Sequence, residues 1–237
     1  MAHRPNQSGT RAGDSRDHLL LAGVLLPLVY FGIQLAAAPF YPGYSFLTRD
    51  ASTLGCDGST APWIFNGGAL LVGMLELVTA GAFLRAFPRA RIGMFLTWAT
   101  ALALSSAAIG SLNAFLHPLP DPKHSEGLLS LLGSGMVMLP LLLTTVLWRL
   151  GARGYALFNI LLCLALIPIL TGLVQRIGMK AGVDLHGYQT LLNGTHGLLQ
   201  RVAALLIFGS ISVVAHRLRR PATRVHRVGS RLGSATA

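Results

Sequence analysis

Charge is scarce in this 237-residue chain, because only 11% of its residues are Asp, Glu, Lys or Arg, against 52% that are hydrophobic. Charged residues make up about a quarter of an ordinary soluble domain, so the composition excludes that class. Cysteine is also scarce, with one residue at Cys56 and one at Cys163. Cys56 falls in a predicted outer loop and Cys163 inside a predicted membrane span, so the two are too far apart in depth to form a disulfide.

The apolar residues form uninterrupted blocks of a membrane-spanning length. A helix rises about 1.5 Å per residue, so about 20 apolar residues cross a hydrocarbon core of roughly 30 Å. The blocks of this length are 19–38, 64–84, 92–115, 127–148, 155–175 and a stretch that starts between 190 and 196 and ends at 215. The alternating polarity of membrane β-strands is missing. The sequence therefore predicts an all-α polytopic membrane protein, a bundle of six transmembrane helices.

The basic residues fall mainly on one side of the predicted membrane. That side has the leader, the loops after the second and fourth spans, and the tail: Arg4, Arg11, Arg16, Arg85, Arg89, Arg91, Arg149, Arg153, Arg217, Arg219, Arg220, Arg224, Arg227 and Arg231. The other side has Arg49, Lys123, Arg176 and Lys180. Cytoplasmic loops carry the Lys and Arg excess, which places both termini in the cytoplasm. The net charge of +11 thus marks topology, and no nucleic-acid partner is expected.

Three segments follow from this topology: a polar cytoplasmic leader over 1–18, a six-helix transmembrane domain over 19–215 and a basic cytoplasmic tail over 216–237. The start of the chain has one competing interpretation. Arginines, an apolar run and three alanines ending at Ala38 also resemble a cleavable signal peptide. The apolar run is longer than the roughly 7–15 residues of signal cores, which favours a retained first helix.

Two charged side chains lie where lipid is expected. Glu76 is near the middle of the second span, and Arg201 lies in the outer half of the sixth. A charge at the bilayer centre costs on the order of 3 kcal/mol even on lenient insertion scales. The sequence predicts an intramembrane charge pair between Glu76 and Arg201, which either orders the bundle or couples transport to an ion.

The outer loops hold most of the unusual chemistry. The residues that we expect at one membrane face, as a polar pocket, are Asp50, Ser52, Asn66, His117, Asp121, His124 and His196. His and Asp together suit zinc, but three prolines between His117 and His124 remove the helical spacing that would align two ligands, so no metal is predicted. Ser52 with a histidine and Asp121 supplies the residue types of a nucleophilic site, although no Gly-x-Ser-x-Gly elbow surrounds Ser52.

Several short segments resemble a bacterial membrane family designated domain of unknown function nine-nine-eight. The segments are Pro42-Gly43-Tyr44, Asp50 and Ser52 before Leu54-Gly55, Phe65-Asn66-Gly67, the Asp121 and His124 loop, and the stretch from Gly197 to Gln200-Arg201. The resemblance covers roughly residues 19–215 and implies a six-span fold, with no activity to transfer. The layout is more distantly similar to Frag/DRAM/Sfk-type membrane proteins, which have been linked to lipid handling.

The sequence predicts a protein of the bacterial inner membrane. An excess of Arg over Lys and many Ala, Gly and Leu residues are typical of a high-GC bacterium. The leading hypothesis is an outward-facing pocket that binds a lipid head group or small amphiphile, with membrane lipids as partners and no cofactor. A membrane-embedded hydrolase that uses the outer Asp, His and Ser residues is one alternative, and a small transporter coupled through Glu76 is another. The catalytic residues, if any, and the oligomeric state are not predicted.

Overall fold

The computed structural model describes residues 11–126, 128–170, 180–182, 184 and 186–219, and over these it is helical with no strand. Its α-helices are α1 (Arg11–Ala37), α2 (Pro62–Ala86), α3 (Met94–Leu116), α4 (Lys123–Glu126), α5 (Leu128–Gly133), α6 (Leu139–Arg149), α7 (Arg153–Leu170) and α8 (His186–Arg219). Short 3-10 helices cover Ala38–Phe40, Ala51–Gly55 and Ser134–Met138. The predicted all-α class is confirmed.

Five of the described helices are long and apolar enough to cross a membrane. They cover His18–Phe40, Pro62–Ala86, Met94–Leu116, Leu131–Arg149 and His186–Arg219, and they indicate a membrane-embedded protein. The remaining predicted span, 155–175, lies partly on α7 and partly outside the described residues. Residues 171–179, at the end of that predicted span, lie outside the described residues, as do 1–10 of the leader and 220–237 of the tail.

The helices place apolar side chains outside and several polar ones inside. Large side chains such as Trp63 (72% exposed), Phe95 (84%) and Leu161 (67%) point away from the protein, whereas Thr79 and Asn159 are fully buried. A soluble protein would not expose so many large apolar residues over its long helices. This distribution suits helices whose outer surface is in contact with lipid.

The fourth predicted span is a broken helix. α5 ends at Gly133, a 3-10 turn follows over Ser134–Met138, and α6 begins at Leu139 with Pro140 in its first turn. Proline is favoured in the first helical turn because it has no N–H to donate, so Pro140 starts a helix here instead of kinking one. A Cβ on Gly133 would lie 2.7 Å from Gly110 Cα, so the glycine lets the break pack directly on α3.

Four helices, α1, α2, α3 and α8, surround the interior of the bundle. α1 packs against α2 and α8, and α2 packs against α3. α6 packs against α3 and α8, and its buried Leu143 and Leu147 belong to the same apolar core as Phe83 and Phe87 near the end of α2. Because the apolar core is concentrated at that end, the space between α1, α2, α3 and α8 near the outer loops is less completely filled.

Candidate ligand-binding cavity

The loop after α1, the first of the predicted outer loops, turns back toward the helices at Pro42 and Gly43. Tyr44 N donates to Tyr41 O over 3.1 Å, which closes a four-residue turn. Gly43 has a φ of +68°. Such a turn needs a positive φ at its third residue and favours proline at its second, so Pro-Gly meets both requirements. The turn is therefore specified by local sequence.

Arg201 of α8 binds this loop directly. Its Nη1 donates to three main-chain carbonyl oxygens, those of Phe46 (3.0 Å), Arg49 (2.9 Å) and Gly197 (2.7 Å). Its Nη2 donates to the Tyr44 hydroxyl, and the guanidinium lies 4.9 Å from the Phe46 ring centroid. The planar fork of arginine suits several acceptors at once, which a lysine cannot match. Arg201 thus joins the last helix to the first loop.

Tyr44 completes the link. Its hydroxyl accepts from Arg201 and donates to the Asp50 carbonyl oxygen over 3.1 Å. Burial raises the pKa of the Tyr44 phenol above its usual value, while the nearby Arg201 cation acts in the opposite sense. The phenol therefore stays neutral and keeps the proton with which it donates.

Neighbours of Arg201 add further contacts to the same loop. Gln200 Oε1 accepts from Ala51 N over 2.8 Å, and Leu198 N donates to Leu47 O over 3.0 Å. A Cβ on Gly197 would lie 2.3 Å from the Arg49 carbonyl oxygen, so only glycine lets the loop approach α8 this closely. His196 Nδ1 lies 2.7 Å from an Asp50 carboxylate oxygen in a partly exposed ion pair.

The same loop is fixed to α2 by Asn66. Its side-chain amide donates to the Gly55 carbonyl oxygen over 3.2 Å. A Cβ on Gly55 would lie 2.1 Å from Asn66 Oδ1, so this glycine is also needed for a close approach. Fully buried Leu54 packs beside Phe65 in a small outer core. Asn66 therefore holds the loop and does not line the cavity described below.

The second outer loop has its own network. His117 Nδ1 lies 2.9 Å from the Asp121 carboxylate, and His124 Nδ1 donates to the His117 carbonyl oxygen over 2.7 Å. Asn113 of α3 donates to the His124 carbonyl oxygen over 2.9 Å. A main-chain hydrogen bond from Lys123, followed by the contact with His117, lowers the pKa of Asp121 below its usual value. Since Nδ1 of His124 donates, its Nε2 is the nitrogen left to accept.

A cavity of about 490 Å³ lies beneath these two loops, between α1, α2, α3 and α8. Ser52, Asn113, His124 and Gln200 provide its polar lining near the loops. Deeper, Glu76 lines it and accepts from the Ser111 hydroxyl over 2.8 Å. Eleven residues of α2 separate Phe65 from Glu76, so the cavity extends about 16 Å along that helix.

Many of the lining residues are small. Those with alanine side chains are Ala51, Ala69, Ala107, Ala114, Ala203 and Ala204. Apolar surface predominates over polar surface in the lining, and its larger members include Tyr30 and Phe208. Pockets for small molecules usually combine such walls with a few polar groups. The arrangement can accept a molecule with an apolar body and a polar group.

The predicted site residues divide into three groups. Ser52 and His124 line the cavity. Asp50 pairs with His196 and Asn66 binds Gly55, so these three hold the first loop in place. His117 and Asp121 pair with each other in the second loop and are not among the cavity-lining residues.

The predicted charge pair is wrong as a direct contact. Glu76 is 1% exposed and Arg201 8%, so both are buried as expected. However, Glu76 bonds to Ser111, whereas Arg201 bonds to the first loop. The carboxylates of Asp121 and Asp50 instead lie beside the rings of His117 and His196, at 2.9 and 2.7 Å. Main-chain carbonyls satisfy Arg201 instead of a carboxylate.

Sequence reasoning missed the roles of Tyr44, Ser111 and Gln200. Each is an ordinary polar residue whose partner lies far along the chain, so no local spacing indicates it. One signal was present: Tyr44, Gly197, Gln200 and Arg201 all fall in the segments on which the family resemblance rests. The structure shows that those segments contact each other.

Within the described residues, no three His, Cys, Asp or Glu side chains come together as metal ligands would. Cys56 and Cys163 are both free thiols.

In comparisons with known proteins, no family model, no curated protein and no solved structure matches this chain. The family resemblance therefore stays a prediction.

Proposed function

We propose that this chain is a six-span protein of a bacterial cell membrane whose outward-facing cavity binds a lipid head group or small amphiphile. The cavity of about 490 Å³ carries the proposal, because it combines apolar walls with a few polar groups, some beneath the loops and one at Glu76. An amphiphile has the same division. A purely polar solute would leave the apolar walls unused, and a purely apolar one would leave Ser52, His124 and Glu76 unmatched.

The orientation comes from charge. The arginine-rich loops and tail belong to the cytoplasm by the positive-inside rule, so the loops that cover the cavity face outward. Reporter fusions provide the test: a fusion after Pro88 and one after Ala237 are expected to be cytoplasmic, and one after Pro120 to be external. The reversed pattern would contradict the proposed orientation.

The hydrolase alternative has less support. A nucleophilic hydroxyl needs a base that a third group orients. The Asp121 carboxylate pairs with His117, and His124 binds a main-chain oxygen, so the carboxylate does not orient the histidine that lines the cavity with Ser52. Binding requires no such relay, and we therefore favour it.

The test is occupancy of the cavity in the purified full chain, measured by native mass spectrometry with short-chain phospholipids and octyl amphiphiles. Ala203 lines the cavity, so Ala203→Phe is expected to fill it and to abolish bound adducts. Leu205→Phe, on the same helix at a position 54% exposed, is the matched control and is expected to keep them. Equal adducts on all three proteins would place binding elsewhere and contradict the proposal.

A further inference from the structure

The deep part of the cavity has an acid that meets no cation among the described residues. Glu76 is 1% exposed, lines the cavity and accepts one hydrogen bond from Ser111. It forms no ion pair with any residue that the structure describes. Arg201, the cation that the sequence suggested, donates its hydrogen bonds to the first loop and to its own helix. A charged carboxylate in this setting is costly unless a cation meets it.

A second buried acceptor of the cavity lies on α3, nearer to the loops. Asn113 lines the cavity and is 3% exposed, and its Oδ1 has no hydrogen-bond partner within the described part of the chain. Asn113 is two residues beyond Ser111, and side chains two positions apart do not share a helix face, so Asn113 is a separate acceptor from the pair of Glu76 and Ser111. Buried amide oxygens nearly always accept a hydrogen bond. Both Glu76 and Asn113 therefore call for N–H or O–H donors from a ligand.

Aromatic rings complete the setting. Tyr30 and Phe208 line the cavity, and their rings lie 4.7 Å apart between centroids. The faces of aromatic rings attract cations, and recognition of ammonium ligands uses this attraction. A buried acid and two aromatic rings within the apolar walls of one cavity are complementary to an organic ammonium ion.

We propose that the ligand of this cavity is a protonated primary amine on an apolar chain, with its ammonium group beside Glu76. The inference rests on the proposed function, since it names the chemical class of the amphiphile that the cavity would bind. The ammonium supplies a charge and N–H donors for the Glu76 carboxylate, while the chain contacts the apolar wall. A quaternary ammonium has no N–H to donate and fits less well.

Equilibrium binding of radiolabelled octylammonium to the full chain tests this, with binding to Ala203→Phe taken as the non-specific background. We expect octylammonium to bind specifically and octanol and octanoate to compete at least tenfold more weakly. Glu76→Gln is expected to weaken octylammonium binding roughly tenfold or more, since a charge-assisted contact is lost. Asp57→Asn removes an exposed acid outside the cavity and is expected to change nothing.

The possible failures are distinguishable. If octanol competes as well as octylammonium and Glu76→Gln binds both unchanged, the cavity accepts amphiphiles but the ammonium inference is wrong. If the unmodified chain binds no more of any octyl amphiphile than Ala203→Phe does, the proposed function fails as well. The ligand series on the unmodified protein decides the question even if Glu76→Gln does not fold.

Discussion

The Arg201 guanidinium donates a hydrogen bond to the Arg49 carbonyl oxygen over 2.9 Å, although 152 positions separate the two residues in the chain. This contact joins the loop after α1 to α8, so it links the first and last described helices of the bundle. The loop in turn covers the cavity through Ala51 and Ser52. Arg201 therefore supports the cavity without lining it.

Replacement of Arg201 is expected to destabilise the fold. Arg201→Ala leaves three carbonyl oxygens and the Tyr44 hydroxyl without their donor, so we expect a loss of about 3 kcal/mol in the free energy of unfolding. Arg201→Lys keeps the charge but not the planar guanidinium group, so it is expected to recover only part of the lost free energy of unfolding. Chemical denaturation in mixed micelles measures both. Arg217→Ala, at an exposed position of the same helix, is the control.

Gly197 offers a test of the close approach between loop and helix. In Gly197→Ala the new Cβ would lie 2.3 Å from the Arg49 carbonyl oxygen, so the loop must move and we expect a loss of about 2 kcal/mol. Gly194→Ala is the matched control, because nothing lies within 4 Å of its Cβ. Alanine is the better helix former there and is expected to stabilise α8 by up to about 1 kcal/mol. A neutral Gly197→Ala would show that the loop does not contact α8 as described.

Glu76 and Arg201 are expected to act independently. They share no direct contact, so the effects of Glu76→Gln and Arg201→Gln should add within about 0.5 kcal/mol in a double-mutant cycle. Glu76→Leu and Ser111→Ala remove the two ends of one hydrogen bond and are expected to show a coupling of about 1 kcal/mol. A large coupling in the first cycle would restore the charge pair that the sequence suggested.

The stability of the second loop is expected to depend on pH through Asp121. Asp121 has a lowered pKa, so its ionised form stabilises the folded loop above the ordinary pKa of an aspartate, and that contribution disappears as the pH falls through the lowered value. His117→Ala should raise the pKa of Asp121, because the contact with the ring is lost. Lys123→Ala keeps the main-chain N–H that contributes most and is expected to have a smaller effect. NMR titration of the labelled carboxyl carbon distinguishes these results.

The sequence predicts the helices well because bilayer thickness fixes the length of an apolar block. Five predicted spans correspond to helices of membrane-spanning length, and the burial of Glu76 and Arg201 followed from their positions in those blocks. Their partners could not be predicted in the same way. Arg201 binds main-chain oxygens, and every residue carries such an oxygen, so composition gives no sign of the contact.

The cavity was beyond sequence reasoning for a different reason. It arises where small residues of several helices face each other, as Ala69, Ala107 and Ala203 do, and each of these alone is an ordinary packing residue. The polar residues of the outer loops were recognised, but their division between lining and support depends on tertiary contacts. Asp50, Ser52 and Asn66 are all polar residues in or next to the first loop. Asp50 and Asn66 hold that loop in place, whereas Ser52 lines the cavity.

The central claim is that the cavity opens to the outside and binds amphiphiles, and labelling of a single cysteine at Ser52 tests it most directly. Ser52→Cys would be made with Cys56 and Cys163 replaced by alanine, and intact cells treated with a membrane-impermeant maleimide. We predict labelling from outside that octylammonium slows, whereas Arg217→Cys reacts only after permeabilisation. Labelling of Ser52→Cys only after permeabilisation, or at a rate that octylammonium and octanol leave unchanged, would contradict the account.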